Sequence, residues 1–172
     1  MSATSGLVLG GVSCAAIRPC ASRLVATVNG GASWRFVETP KVSLGKAVSS
    51  VQVANGLDGW LYGPGLWSTH DGGARWRKLS LPGAVVQMAD SAGTVYAVVE
   101  PDPATDSPWE LFRSPVGRDA WTRAGHITSD PNPAGDGLAV FGRAVWFGHG
   151  AHLWSTANGR ALAQIRVPLH GD

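Results

Sequence analysis

Few groups in this chain could do covalent chemistry. Its glutamates are Glu38, Glu100 and Glu110, and no catalytic motif surrounds any of them. Asp102 and Asp106, in the proline-rich stretch 101–108, could flank a cleft as a pair of acids, the arrangement that cleaves a glycosidic bond. A run of Pro and Asp equally describes a solvated loop. His126 and Asp130 fall in the next loop-like stretch, and His149 precedes His152 by three positions. On a strand or loop that spacing imposes no common face, so no metal site is expected there. Tyr62 and Trp109 lie near the same stretches and could stack on a sugar ring or a peptide, although aromatics at strand positions also serve packing. Cys14 and Cys20 are the two cysteines, too few to fill a tetrahedral metal shell alone. Without a nucleophile elbow, a phosphate-cradling glycine loop or a zinc-protease motif, no cofactor is expected.

What must position these residues is a repeat. Thr27-Val28-Asn29-Gly30-Gly31-Ala32-Ser33-Trp34 returns 42 positions later as Thr69-His70-Asp71-Gly72-Gly73-Ala74-Arg75-Trp76. An Asn or Asp side chain accepts hydrogen bonds from the backbone ahead of it, and the glycines take positive φ without steric cost. A β-branched Thr before them and a Trp after them suit two half-buried strands. The octet therefore predicts a tight hairpin. Two decayed copies follow: Ser114 to Trp121 keeps the first and last positions, and Thr156 to Ala163 keeps Thr156, Asn158 and Gly159. Leu66-Trp67-Ser68-Thr69 also recurs unchanged as Leu153-Trp154-Ser155-Thr156, two whole units on. Self-similarity at this period marks a stack of copies of one unit.

These octets resemble the Asp-box, or bacterial neuraminidase repeat, whose pattern is Ser/Thr-x-Asp-x-Gly-x-x-Trp. Thr69, Asp71, Gly73 and Trp76 match it fully; Thr27, Asn29, Gly31 and Trp34 match it with Asn in place of Asp. The resemblance implies a β-propeller in which each octet joins the third and fourth strands of a blade and acts structurally, not catalytically. It also implies export or a place in the cell envelope, and a disulfide between Cys14 and Cys20; free thiols fit a reducing compartment equally well. Sialidases and glucan-cleaving enzymes carry the same box, as do the photosystem II stability propellers, so three functions stay open. They are a non-catalytic scaffold binding a protein or carbohydrate partner, a glycoside hydrolase, and an assembly factor.

The strand pattern agrees with an all-β propeller of four four-stranded antiparallel blades, in one domain with approximate bounds 1–39, 40–82, 83–127 and 128–172. Alternating or aromatic-rich runs separated by Gly, Pro, Asn and Asp occupy 48–53, 59–62, 65–69 and 75–79 in the clearest unit. The third unit reads 84–88, 94–100, 109–114 and 120–124, and the fourth 137–141, 143–148, 151–156 and 161–167. In the first unit only 23–27 stands out. Four blades close as one small ring or make half of a larger one, completed by a second chain. A net charge of +2 with 15% charged residues disfavours an electrostatic nucleic-acid partner. No run reaches the roughly 18 apolar residues of a membrane span, and Met1 to Ser5 lacks the basic start of a secretory signal.

Overall fold

The computed structural model describes residues 4, 6–12, 21–42, 44, 47–102, 104–105, 107–127, 136–149, 152–158 and 161–165. Cys14, Cys20, Asp106 and Asp130 lie outside the described residues. Among those described there are fifteen strands and no helix. They form four antiparallel sheets in chain order. The first comprises β1 (Gly6–Val12), β2 (Ala21–Thr27) and β3 (Arg35–Val37). The second holds β4 (Ser50–Val53), β5 (Gly59–Tyr62), β6 (Leu66–Thr69) and β7 (Arg77–Leu79). The third holds β8 (Ala84–Ser91), β9 (Thr94–Glu100), β10 (Trp109–Pro115) and β11 (Thr122–Ile127), and the fourth β12 (Asp136–Phe141), β13 (Ala144–His149), β14 (His152–Thr156) and β15 (Ala163–Ile165).

Each later octet joins the third and fourth strands of its sheet: β6 to β7, β10 to β11 and β14 to β15. In the first sheet the octet joins β2 to β3, so β1 and β2 hold the second and third positions. Instead of the four strands expected there, the described residues supply three. Strand β8 runs to Ser91, beyond the expected end at 88, because its hairpin turns on Ala92 and Gly93, at φ 49 and 74. Asp90 and Ser91 read as turn residues in the sequence, yet both pair with β9.

The sheets pack face to face, and alternation along each strand sends successive side chains to opposite neighbours. Between the first and second sheets, Leu24, Ala26 and Val37 meet Val48, Leu61 and Trp67. Between the second and third, Trp60 and Leu66 meet Val85, Met88, Val95, Ala97 and Val99. Between the third and fourth, Tyr96, Val98, Leu111, Ala124 and Ile127 meet Val145, Phe147 and Trp154. Trp60 and Leu61 are adjacent in sequence yet lie in different interfaces, which is the period-2 signature of a two-sided blade. Nearer the axis β1 approaches β4, β4 approaches β8 and β8 approaches β12, and Gln52 Nε2 donates to Asp90 Oδ1 across one such junction at 2.7 Å. Among the described residues no comparable packing joins the fourth sheet to the first. Among the described residues the four blades thus form an open arc.

Candidate functional site

The octet hairpins occupy one end of the blades. In the second blade the Thr69 hydroxyl donates to Asp71 Oδ1 at 3.0 Å and accepts from Gly73 N at 2.9 Å, while Arg75 N donates to Asp71 Oδ1 at 2.8 Å. In the first, Thr27 Oγ1 donates to Asn29 Oδ1 and Ser33 N donates to the same oxygen, both at 2.9 Å, and Gly31 N donates to Thr27 Oγ1 at 3.0 Å. A neutral amide therefore makes the same turn as a carboxylate. The decayed copies keep part of it: Ala120 N donates to Ser114 Oγ at 3.0 Å, and Thr156 Oγ1 donates to Asn158 Oδ1 at 3.1 Å.

The two intact turns differ in charge, and that has a pH consequence. The backbone hydrogen bond from Arg75 holds the Asp71 carboxyl below its ordinary value of 3.8, with further help from the Thr69 hydroxyl, the Arg75 charge and Ala74 N against a smaller opposing effect of burial. Where the folded value is depressed, the unfolded chain binds more protons, so stability rises with pH across the gap. This contribution is present above pH 3.8 and is lost as the pH falls through the folded value. Asp71→Asn is therefore expected to fold normally at pH 7 and to lose less stability than the parent on acidification below pH 4, measured by thermal melts at stepped pH.

Each octet after the first also fastens its blade to the blade before it. Trp76 Nε1 donates to the Glu38 carbonyl, just past β3, at 2.7 Å. Val116 and Trp121 pack with Leu79 and Leu81 in the core shared by the second and third blades. Leu162 lies against Gly125 of β11, so close that a Cβ on that glycine would stand 2.6 Å from the leucine's Cβ. Trp34, with no blade before it among the described residues, is 49% exposed.

One cluster of ionisable groups lies at this end. His70 Nδ1 is 2.7 Å from Asp58 Oδ1 of its own blade, and its Nε2 is 3.4 Å from Asp119 Oδ1 of the next. Ser68 Oγ donates to Asp119 Oδ2 at 2.9 Å, and Arg77 stands 3.7 Å from the same oxygen. Both imidazole nitrogens face carboxylates, so neither is placed to take a proton from a substrate. The cluster is a clasp between blades. His70→Ala removes the 2.7 Å hydrogen bond to the Asp58 carboxylate and is expected to cost about 2 kcal/mol by denaturant titration.

The opposite end carries a cleft of about 530 Å³, lined by Pro82, Val99, Pro101, Ser107, Pro108, Glu110, Phe112, Arg123 and His126. Its walls come from the β7–β8 and β9–β10 connections. Its floor comes from paired strands, because Glu110 stands opposite His126 in register. Arg123 Nη1 donates to Glu110 Oε1 at 2.8 Å, and His126 Nδ1 lies 3.4 Å from the same oxygen. A smaller gap of about 170 Å³ between the first and second blades is walled mainly by Leu24, Ala26, Val37, Val51, Val53 and Trp76. Those are packing side chains.

Of the described candidate binding residues, His126 is the one that lines the cleft. Asp102 faces its own loop, accepting from Ala104 N at 2.9 Å. Trp109 sits against Phe147, with ring centroids 6.4 Å apart, in the packing of the third blade on the fourth. Tyr62 packs on the core between the second and third blades. His149 ends β13. Arg123 was not legible as a site residue, and Glu110 stood out only as one of three glutamates. Their signal is the β10–β11 pairing, which a decayed octet conceals.

Radially packed four-stranded blades joined by such hairpins define a β-propeller. No protein-family profile matches the sequence, and no curated protein does. Among solved structures the chain is similar to YCF48 bound to D1 peptide, with a TM-score of 0.56 and 16% identity over 94% of this chain and 58% of that one. It is also similar to the GH74 enzyme of Niastella koreensis, with a TM-score of 0.58 and 16% identity over 94% of this chain and 28% of that one. The chain thus spans less than two thirds of either. At such identity the likeness shows the fold, a β-propeller.

Proposed function

We propose that this propeller is a non-catalytic docking scaffold whose loop-end cleft holds an extended, acidic segment of a partner protein. The observation that carries this reading is a half-exposed Arg123 guanidinium beside an apolar trough. The half-exposed Arg123 guanidinium, at 54%, and the half-exposed His126 imidazole, at 52%, share the carboxylate of Glu110. Proline rings and Phe112 flank them. An Arg with spare donors beside an apolar trough suits a carboxylate carried on a chain with apolar neighbours. A neighbour in fold that is bound to a peptide supports the same reading.

An acidic proline-containing decapeptide, titrated by calorimetry, tests it. Binding should weaken at least about tenfold in Arg123→Ala, the worth of one charge-assisted hydrogen bond, and tighten in Glu110→Gln, which frees the Arg123 guanidinium from its ion pair. Affinity indifferent to both substitutions would remove the cleft as the site. The assembly-factor reading is this same docking with a photosystem subunit as partner, and titration of the D1 peptide separates it from docking at large.

The glycoside hydrolase reading rests on the GH74 fold neighbour. Against it stands the cleft's chemistry: among the described lining residues Glu110 is the one carboxylate and is engaged by Arg123, whereas hydrolysis needs two. Turnover of fluorogenic glycosides would reverse the choice.

A further inference from the structure

The end faces of the arc repeat, position by position, the faces that pack inside it. In the second blade the cross-strand row Leu61–Trp67–Lys78 and the octet Trp76 form the side turned to the first blade, where Leu61 and Trp67 are buried and Trp76 donates to the Glu38 carbonyl. The matching row of the first blade is Val8–Val25–Phe36, beside the octet Trp34. Three of these four are strongly exposed: Val8 at 50%, Phe36 at 78% and Trp34 at 49%.

The other end shows the complementary half. On the side of the second blade turned to the third, Trp60 is paired with Ser68, and Leu66 with Leu79, all within or against the shared core except the serine, which bonds Asp119. In the fourth blade Trp146 is paired with Ser155, and Leu153 with Ile165. Trp146 and Ile165 are each 38% exposed, and Phe141, on the same side of its sheet, is 82% exposed. Among the described residues nothing covers either face.

We propose that these two faces bind each other between copies: the Trp34–Phe36 face of one chain seats on the Trp146–Ile165 face of a second. One chain carries both halves of a junction that it already makes three times internally, so a second copy needs no new chemistry. Such head-to-tail contacts form rings when the rotation closes. Two copies give eight blades, the upper end of the usual range of about four to eight, and three would exceed it. The pair is then held by two identical junctions. This inference is independent of the cleft on the third blade, which faces neither junction.

Sedimentation equilibrium of the 172-residue chain should give twice the 17.9 kDa chain mass. Phe36→Asp and Ile165→Asp should each weaken association at least about thirtyfold, as expected of a residue central to an interface. Both sit on exposed positions, so near-ultraviolet circular dichroism should stay unchanged; Val8→Asp and Phe141→Asp replace either variant that misfolds. An equimolar mixture of the two variants retains one intact junction and should recover a one-to-one pair. A monomeric parent chain at tens of micromolar, as expected if further blades or another protein normally cover these faces, would overturn the proposal. So would a dimer indifferent to both substitutions.

Discussion

Trp60→Ala is expected to destabilise the protein by about 4 kcal/mol, the usual cost of truncating a buried aromatic to alanine. The indole is fully buried and lies in the core that joins the second blade to the third, against Val85, Met88, Val95, Ala97 and Val99. Its edge also meets the His70 ring, centroids 6.4 Å apart and planes at 79°, so the cavity left behind would loosen the ionic clasp as well. A control isolates packing from hydrogen bonding. Trp60 Nε1 is buried and has no hydrogen-bond partner, so Trp60→Phe removes an unsatisfied donor while keeping most of the apolar volume, and should cost less than half as much. Guanidinium titration of the three proteins measures the order. A loss below 1 kcal/mol for the alanine variant would mean that the second and third blades do not share a core.

Gly73→Ala is the second large effect, at about 3 kcal/mol. Gly73 holds φ +92, and a Cβ there would collide with Val37 Cγ1 of the preceding blade. The left-handed conformation costs a non-glycine residue about 1–2 kcal/mol, and overpacking adds about 1–3 kcal/mol. The equivalent residue of the first octet, Gly31, holds φ +91, but the nearest atom to its Cβ position is Trp34 Cζ2 at an ordinary 3.6 Å. Gly31→Ala should therefore cost only the conformational part, about 1 kcal/mol. The same substitution in the same turn separates backbone strain from docking on a neighbour. Equal losses at both positions would show that the octet does not press on the blade before it.

Much of the fold was legible because the turns that build it are chemically demanding. Only a short acceptor such as Asn29 or Asp71, followed by glycines at positive φ, makes this hairpin, so its recurrence announces the blades. Where that chemistry has decayed, as at Ser114 to Trp121, Ser114 still anchors the turn through Ala120 N and the Arg118 carbonyl, yet the register of the strand pairing beyond it, expected between 109–114 and 120–124, was not legible, since β11 runs Thr122–Ile127. That pairing is what sets Glu110, Arg123 and His126 around one cleft. Loop composition drew attention to Asp102 and Trp109, but a capping carboxylate and a packed indole are indistinguishable from binding groups until their partners are known. The clasp of Asp58, His70 and Asp119 was equally hidden, since it joins two hairpins and a decayed octet from two blades. The sequence left open whether four blades close as one ring or make half of a larger one, because exposure of Phe36 and Phe141 follows from which neighbour is present, not from the residues themselves.

The account rests on a direction: each octet after the first fastens its blade to the one before it. Hydrogen exchange on Trp76→Ala reads that direction most plainly. The indole donates to the Glu38 carbonyl, so the account predicts lost amide protection in β3, at Arg35–Val37, with β8 and β9 of the third blade unchanged. Protection lost in the third blade and kept in β3 would contradict it.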